Sequence, residues 1–537
     1  MIRARLFRRP CRFITRGFPN CNRTDDKSMM STLLKSDTDG RVAQFWPLII
    51  LFSGLVASLF YSQFWLSHDD SWYLIATRKF LEGYKLYVDI IEVNPPLNFY
   101  LTAPALLFAN LTGLSDTVAY VWQICFLATL SGIWSARIVR RSNLTQGQQT
   151  VFVSVGLAGL FLLPIGELGQ REHLLFVFAW PYFVSQLTGS DETHFTRFEQ
   201  FSLGLVAALG IGLKPYFLLI PAAIVLVGPL KSLLQRAFAA TNIGLATGLL
   251  AYAAFTVVVH PEFFSDVLSI AGKVYWAYGF SPYRILVRGE TFAVLIFAFL
   301  LYKTGAMRDP ASRRLAAAVA AALASYLLQF KGWTYHLLPL LFFLMLGAAW
   351  IAVRFRIFER RNLLSKALVI SLLAITLFAQ VIAGPYRPRT TTAFSPFIEE
   401  PGEMVTAYST SVWIAFPFLN AVEGKWGSRF PAQWMVPGAL IATREERCPQ
   451  DREYCAQFEE ILADMRTANT EDLLRYRPDI VYVDTREEKP YFFGEEFDYI
   501  EFQITDPRFA KEWANYRKVG TVDGLFDVYR RTGPGGE

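Results

Sequence analysis

Charge, histidine and cysteine are all scarce in this chain. Only 18% of its 537 residues are Asp, Glu, Lys or Arg, and it holds 5 histidines and 5 cysteines. Soluble domains are usually more charged and less apolar than this. There is no internal repeat, no Gly-rich phosphate loop, and no haem or iron–sulfur motif. The net charge of +6 comes without a basic patch, because lysine and arginine are spread between apolar runs, so nothing points to nucleic acid. The first forty residues start basic (Arg3, Arg5, Arg8, Arg9, Arg12, Arg16) but lack the apolar core and small-residue cleavage site of a signal peptide. They read as a cytoplasmic tail, with a transit peptide as the alternative and Met29 or Met30 as a second candidate start. Cys11 and Cys21 fall in that tail and Cys125 in an apolar run. Cys448 and Cys455 lie close together with no nearby histidine, which makes a poor zinc site; a disulfide forms there only if the region is exported.

What the chain has in abundance is apolar surface: 53% hydrophobic and 15% aromatic residues. Several runs reach the roughly 20 residues that cross about 30 Å of hydrocarbon. The expected fold class is an α-helical polytopic membrane protein with about eleven spans, followed by a C-terminal α/β domain outside the membrane. The spans fall near 46–66, 116–137, 149–165, 168–187, 199–213, 215–230, 237–259, 288–303, 312–329, 335–352 and 366–384. With residues 1–45 inside, the basic residues at 137–141, 231–236, 303–314 and 354–366 fall in inside loops, as the positive-inside rule asks. The membrane domain is then 46–384, with a first external loop over 67–115. Within it, 71–82 is a short helix ending near Gly83, and 97–111 is re-entrant or surface-lying because Pro95, Pro96 and Pro104 interrupt it. The aromatic loop 260–287 is either an interfacial belt or a cover over a lipid or sugar. Past Pro385 strand-like runs (404–408, 479–483, 526–529) alternate with helical ones (452–465, 508–518), giving a soluble domain over 385–537.

Four clusters share the outer face in this topology. They are His68-Asp69-Asp70, Gln170-Arg171-Glu172-His173, Lys214-Pro215-Tyr216, and Lys331-Gly332-Trp333-Thr334-Tyr335-His336. Each cation alone is explained by snorkelling at a span end. Together with a paired acid they describe an anion site facing a general base.

The run Asp69, Asp70, Tyr73, Arg78 and Gly83, followed by Glu92 before Pro95-Pro96-Leu97, resembles the first external loop of GT-C glycosyltransferases. It is most similar to the lipid A aminoarabinose transferases and protein O-mannosyltransferases of the family 39 type. Two positions depart: Asp70 stands where those families commonly have Glu, and Asn94 where mannosyltransferases have His. The resemblance implies a sugar donor linked to a polyprenyl phosphate, transfer with inversion outside the membrane, and Asp69 as catalytic base. Arg171, Lys214 and Lys331, then Arg78 and His336, are candidates for the donor phosphate. Tyr73, His173, Tyr216, Trp333 and Tyr335 are candidates for substrate contact.

Such chemistry is sensible on the residues alone. A phosphate ester leaves readily, so it needs cations to receive its charge and a carboxylate to take the acceptor's proton. Asp70 and Glu92, grouped with Asp69 as catalytic candidates, bind sugar or acceptor, orient the base, or hold a divalent cation. No cofactor is expected, the divalent cation being the alternative. The expected partners are the lipid-linked sugar donor, membrane lipids and an acceptor that is an envelope glycan, lipid or protein. The expected location is a plasma (inner) membrane. The competing reading is a transporter or flippase of a lipid-linked anion, although such proteins place ionisable groups near the midplane and often show repeats.

Overall fold

The computed structural model describes residues 44–189, 195–388 and 391–532. The sheet, the cavity and all but the start of the first helix belong to one compact unit that begins at Pro47. The tail expected over 1–45, with Cys11 and Cys21, lies almost wholly outside the described residues.

Among the described residues six helices are long and apolar enough to cross a membrane: Gln44–Tyr61, Asp116–Arg141, Ala240–Val259, Pro310–Gln329, Thr334–Arg354 and Leu363–Ala383. A seventh arises if the sharply bent pair Pro215–Leu226 and Leu230–Ala237 is one span. The chain is a multi-pass membrane protein, and its clear crossings are fewer than the eleven expected. Helices do stand at the other expected positions, but Gln146–Phe161, Arg197–Ile211 and Gly289–Thr304 have 16, 15 and 16 residues. At 1.5 Å per residue that is about 24 Å, short of the hydrocarbon thickness. Arg171–Thr188 is a different case. It is buried on every side and carries Arg171, Glu172 and His173 in its first turn, as a helix inside the protein would.

Tight helix pairing depends on small residues. A Cβ on Gly204 of Arg197–Ile211 would collide with the Thr241 carbonyl, and one on Gly244 with that of Phe201. Gly244 and Gly248 lie four apart on Ala240–Val259, the spacing that lets two backbones approach in a bilayer.

The first loop opens with helix α1 (His68–Leu81), which begins three residues earlier than the pattern suggests. Ser67 is its N-cap, accepting from the Asp70 amide, and Asp69 and Asp70 fill a first turn where negative charge suits the helix dipole. Glu82 closes the helix, and Gly83 follows at φ 99°. Helix α2 (Leu97–Thr112) contains Pro104, and helix α3 (Asp116–Arg141) follows it.

The C-terminal segment forms a five-stranded sheet of β1 (Met404–Tyr408), β2 (Lys425–Trp426), β3 (Ile480–Asp484), β4 (Tyr516–Val522) and β5 (Phe526–Arg531). Its order is β2-β1-β3-β5-β4, with β2, β1 and β3 parallel and β5 and β4 antiparallel. Strand β4 occupies ground read as helix up to 518. The helix there ends at Trp513, because the Asp523-Gly524 turn, at φ 51° and 68°, folds Tyr516–Val522 back on β5. Strand β4 lies at the sheet edge, where Arg517 and Lys518 are well suited. Cys448 and Cys455 are joined in a disulfide.

One hydrophobic core joins the first loop to the sheet. Trp72, Tyr73 and Phe99 belong to the same cluster as Val405, Phe416 and Val481, with the Trp72 and Phe416 rings 5.4 Å apart. Lys79, on the buried side of α1, donates to the carbonyls of Trp426 and Ser428 at 3.4 and 3.0 Å. Arg475 pairs with Asp89 at 2.7 Å.

Candidate functional site

A cavity of about 940 Å³ lies where the first loop, the helix ends and the sheet segment meet. Asp69, Tyr73, Glu92, Arg171, Lys214, Tyr216, Lys331, Trp333, Tyr335 and His336 all line it. Three of the sequence candidates, Asp70, Arg78 and His173, are not on its wall.

Helical geometry separates them. Tyr73 is four residues from Asp69 and shares its face of α1, whereas Arg78 is nine residues away, two and a half turns on and on the opposite side. There Arg78 pairs with Asp116 and donates to Asn110, fastening α1 to α2 and α3. Asp70 turns inward, only 2% exposed, and accepts from the Ser67 hydroxyl at 2.8 Å. That hydroxyl also accepts from Gln170 at 2.7 Å, so Asp70 ties the helix cap to the neighbouring loop. His173 is buried. Its Nδ1 accepts from the Gly169 amide at 3.1 Å, which leaves Nε2 to donate to the Leu160 carbonyl at 3.0 Å.

Asp69 has one oxygen 3.3 Å from the Arg171 guanidinium and the other 3.5 Å from His68. Its side chain is 19% exposed, open toward the cavity. Burial opposes its ionisation, but His68, Arg171 and Lys214 together hold the carboxyl below its ordinary range. Burial drives Asp70 the other way, well above that range, against the Ser67 hydrogen bond. The two adjacent carboxyls are thus pushed in opposite directions.

Arg171 meets Asp69 through one nitrogen, and its Nε and Nη1 are buried without a hydrogen-bond partner among the described residues. Lys214 is more fully occupied, by Glu172 at 2.6 Å and Gln329 at 3.2 Å. His336 stands 3.7 Å from the same Glu172 oxygen. Lys331 has no carboxylate within 4 Å among the described residues. Its ammonium lies 3.1 Å from the centre of the Tyr275 ring and 5.0 Å from that of Trp333. Burial, and then Lys214, hold its pKa well below the usual lysine value. An anion entering here would favour the charged form.

Glu92 is fixed by Trp72 at 2.8 Å and by the Asn94 amide at 3.0 Å. A further acid, Glu167, also lines the cavity and was not singled out in the sequence, where it reads as an ordinary loop glutamate. It accepts from Thr334 at 2.9 Å, and burial pushes its pKa up to about 8. The loop 260–287 is a cavity wall, contributing Phe263, Phe264, Tyr275, Tyr278 and Phe280. Among the described residues no three His, Cys, Asp or Glu side chains are grouped as a metal site.

No protein-family model matches the chain, and no curated protein sequence matches it. Solved structures that are similar to it include the oligosaccharyltransferase of Archaeoglobus fulgidus in the apo form, at 12% identity and a TM-score of 0.38, covering 82% of this chain and 70% of that one. Another is the archaeal oligosaccharyltransferase AglB from Archaeoglobus fulgidus in complex with an inhibitory peptide and a dolichol-phosphate. It is 12% identical with a TM-score of 0.39, and the match covers 91% of this chain and 75% of that one.

Proposed function

We propose that the chain is a membrane glycosyltransferase that moves a sugar, with inversion, from a polyprenyl-phosphate donor to a hydroxyl acceptor outside the membrane. The observation that carries this reading is a carboxylate, Asp69, that pairs with Arg171 and shares one cavity with it, Lys214 and Lys331, Arg171 having donors to spare. The likeness of the Asp69–Leu97 run to GT-C first loops points the same way. In this reading Asp69 takes the proton of the acceptor hydroxyl, whose oxygen attacks the anomeric carbon. The bond from that carbon to the phosphate oxygen breaks, and its electron pair leaves with the phosphate.

Arg171 and Lys331 receive that charge, with Lys214 and His336 beside them. An arriving phosphate competes with Asp69 for Arg171. As Arg171 turns to the phosphate, Asp69 loses a counter-ion and gains basicity at the moment a base is needed. Glu92 orients sugar or acceptor, and Asp70 supports the helix that carries the base. Arg78 takes no part. The membrane is a plasma (inner) membrane, with residues 385–537 on its outer side.

The test is transfer from a radiolabelled polyprenyl-phosphate sugar by the purified protein in vesicles. Asp69→Asn is expected to lower the rate by about a thousandfold. Full activity in Asp69→Asn membranes would sink the proposal. Binding and translocation of the lipid by wild type without any transfer product would favour a flippase.

A further inference from the structure

Glycosyl transfer as proposed gives a part to Asp69 and to Asp70 but none to His68, the residue that opens α1. His68 lines the cavity, and so does Tyr386. The imidazole stands between two partners. Its Nε2 is 3.5 Å from Asp69 Oδ1, and its Nδ1 is 3.2 Å from the Tyr386 hydroxyl. A carboxylate only accepts, so Nε2 turns its proton toward Asp69 and Nδ1 is left to accept from Tyr386. The polarity runs one way, from the phenol through the imidazole to the carboxylate.

Tyr386 reaches this place by a route independent of α1. Only Gly384 and Pro385 separate it from the crossing Leu363–Ala383. Gly384 turns the chain at φ 72°, a conformation that favours glycine. A Cβ on Gly166 would lie 3.3 Å from the Gly384 carbonyl, so the linker runs close along the loop that carries Glu167. Packing of the linker, rather than the helix, therefore sets the hydroxyl.

Asp69 has two other holders, Arg171 on Oδ2 and the Tyr335 hydroxyl. Both stand among the cations that would meet a phosphate: the Tyr335 ring is 5.1 Å from the Lys214 ammonium, and Arg171 has unspent donors. His68 comes from outside that set and takes the other carboxylate oxygen. We infer that His68, held by Tyr386, is a positioning residue that keeps Asp69 aimed into the cavity once Arg171 has turned to the departing phosphate. The inference rests on the glycosyl-transfer reading. A base must stay within hydrogen-bond reach of its proton, and a misplacement of about 1 Å costs on the order of a hundredfold in rate.

Transfer from a radiolabelled polyprenyl-phosphate sugar by the full chain in nanodiscs tests this. His68→Ala should lower kcat about tenfold and leave the donor KM within about twofold. His68→Gln, whose amide can still donate to Asp69, should recover most of the loss. Tyr386→Phe should lower kcat about threefold by itself and add nothing in the His68→Ala background, because the phenol acts through the imidazole. Unchanged kcat in both single variants, or full additivity in the double variant, overturns the inference. If His68→Ala does not fold, nitrogen-15 histidine NMR decides. The chain has 5 histidines, so His68 is assigned by the loss of its signals in His68→Gln. At about pH 8, where an ordinary histidine is neutral, its Nδ1 resonance should move in Tyr386→Phe and its Nε2 resonance in Asp69→Asn. Resonances that stay in place overturn the inference. The expected shifts in a protein without transfer activity would leave the tether standing and remove the glycosyl-transfer reading. Wild-type transfer with unmoved resonances would do the opposite.

Discussion

Asp69 keeps an edge on the cavity while Asp70 is sealed behind it, because successive residues of a helix lie about 100° apart. Burial then acts on the two carboxyls unequally: His68, Arg171 and Lys214 offset it at Asp69, whereas at Asp70 the Ser67 hydrogen bond and Arg171 do not outweigh it. Glu167 shows the same effect in a form open to measurement. Its folded pKa of about 8 lies above the ordinary glutamate value, so the neutral acid is the form the fold accommodates. Its contribution to stability is complete below the unfolded pKa and is lost as pH rises toward 8. Glu167→Gln, which stays neutral, should therefore gain thermal stability over wild type progressively from about pH 5 to pH 8. Melting curves across that range check it, and a constant difference would show that Glu167 does not titrate there.

At the scale of elements, α1 is the part that decides the site. One face carries Asp69, Trp72 and Tyr73 to the cavity, and the far end is fastened to α3 through Arg78 and Asp116. Arg78 is part-exposed, and such ion pairs contribute no more than about 1 kcal/mol. Arg78→Ala is expected to lower stability by about that much while leaving the donor KM within about twofold. A large rise in donor KM would mean that the arginine reaches the phosphate after all. In the sequence Arg78 looked like a fourth phosphate ligand because the motif supplies its type but not its azimuth. His173 misled in the same way: a histidine beside Arg171 reads as a ligand, yet its two nitrogens are spent on the Gly169 amide and the Leu160 carbonyl.

Across the whole molecule, the packing of α1 on the sheet means that residues far apart in the chain enclose one cavity. The disulfide offers a check on which side of the membrane the sheet lies. A bridge closing a separation of 7 residues stabilises by about 2 kcal/mol through loop entropy, and it persists only in an oxidising compartment. In intact cells Cys448 and Cys455 should resist maleimide until a membrane-impermeant reductant is added, and Cys448→Ser should lower the melting temperature. Free labelling without reductant would place the segment in a reducing compartment.

The sequence alone determined that the chain crosses a membrane many times. It also picked out the Asp69 loop and most of the cations, and it located β1, β3 and β5. Apolar length, charge placement and alternation are local properties, written in consecutive residues. Only the tertiary structure decided which of those groups face one another. It turned Asp70, Arg78 and His173 away from the cavity, brought Glu167 into it, and set the ends of β1 and β3 against the loop that carries Asp69. Among the described residues it showed six helices long and apolar enough to cross a membrane. Facing depends on helix azimuth and on packing between distant segments, and a linear pattern of residue types does not record either.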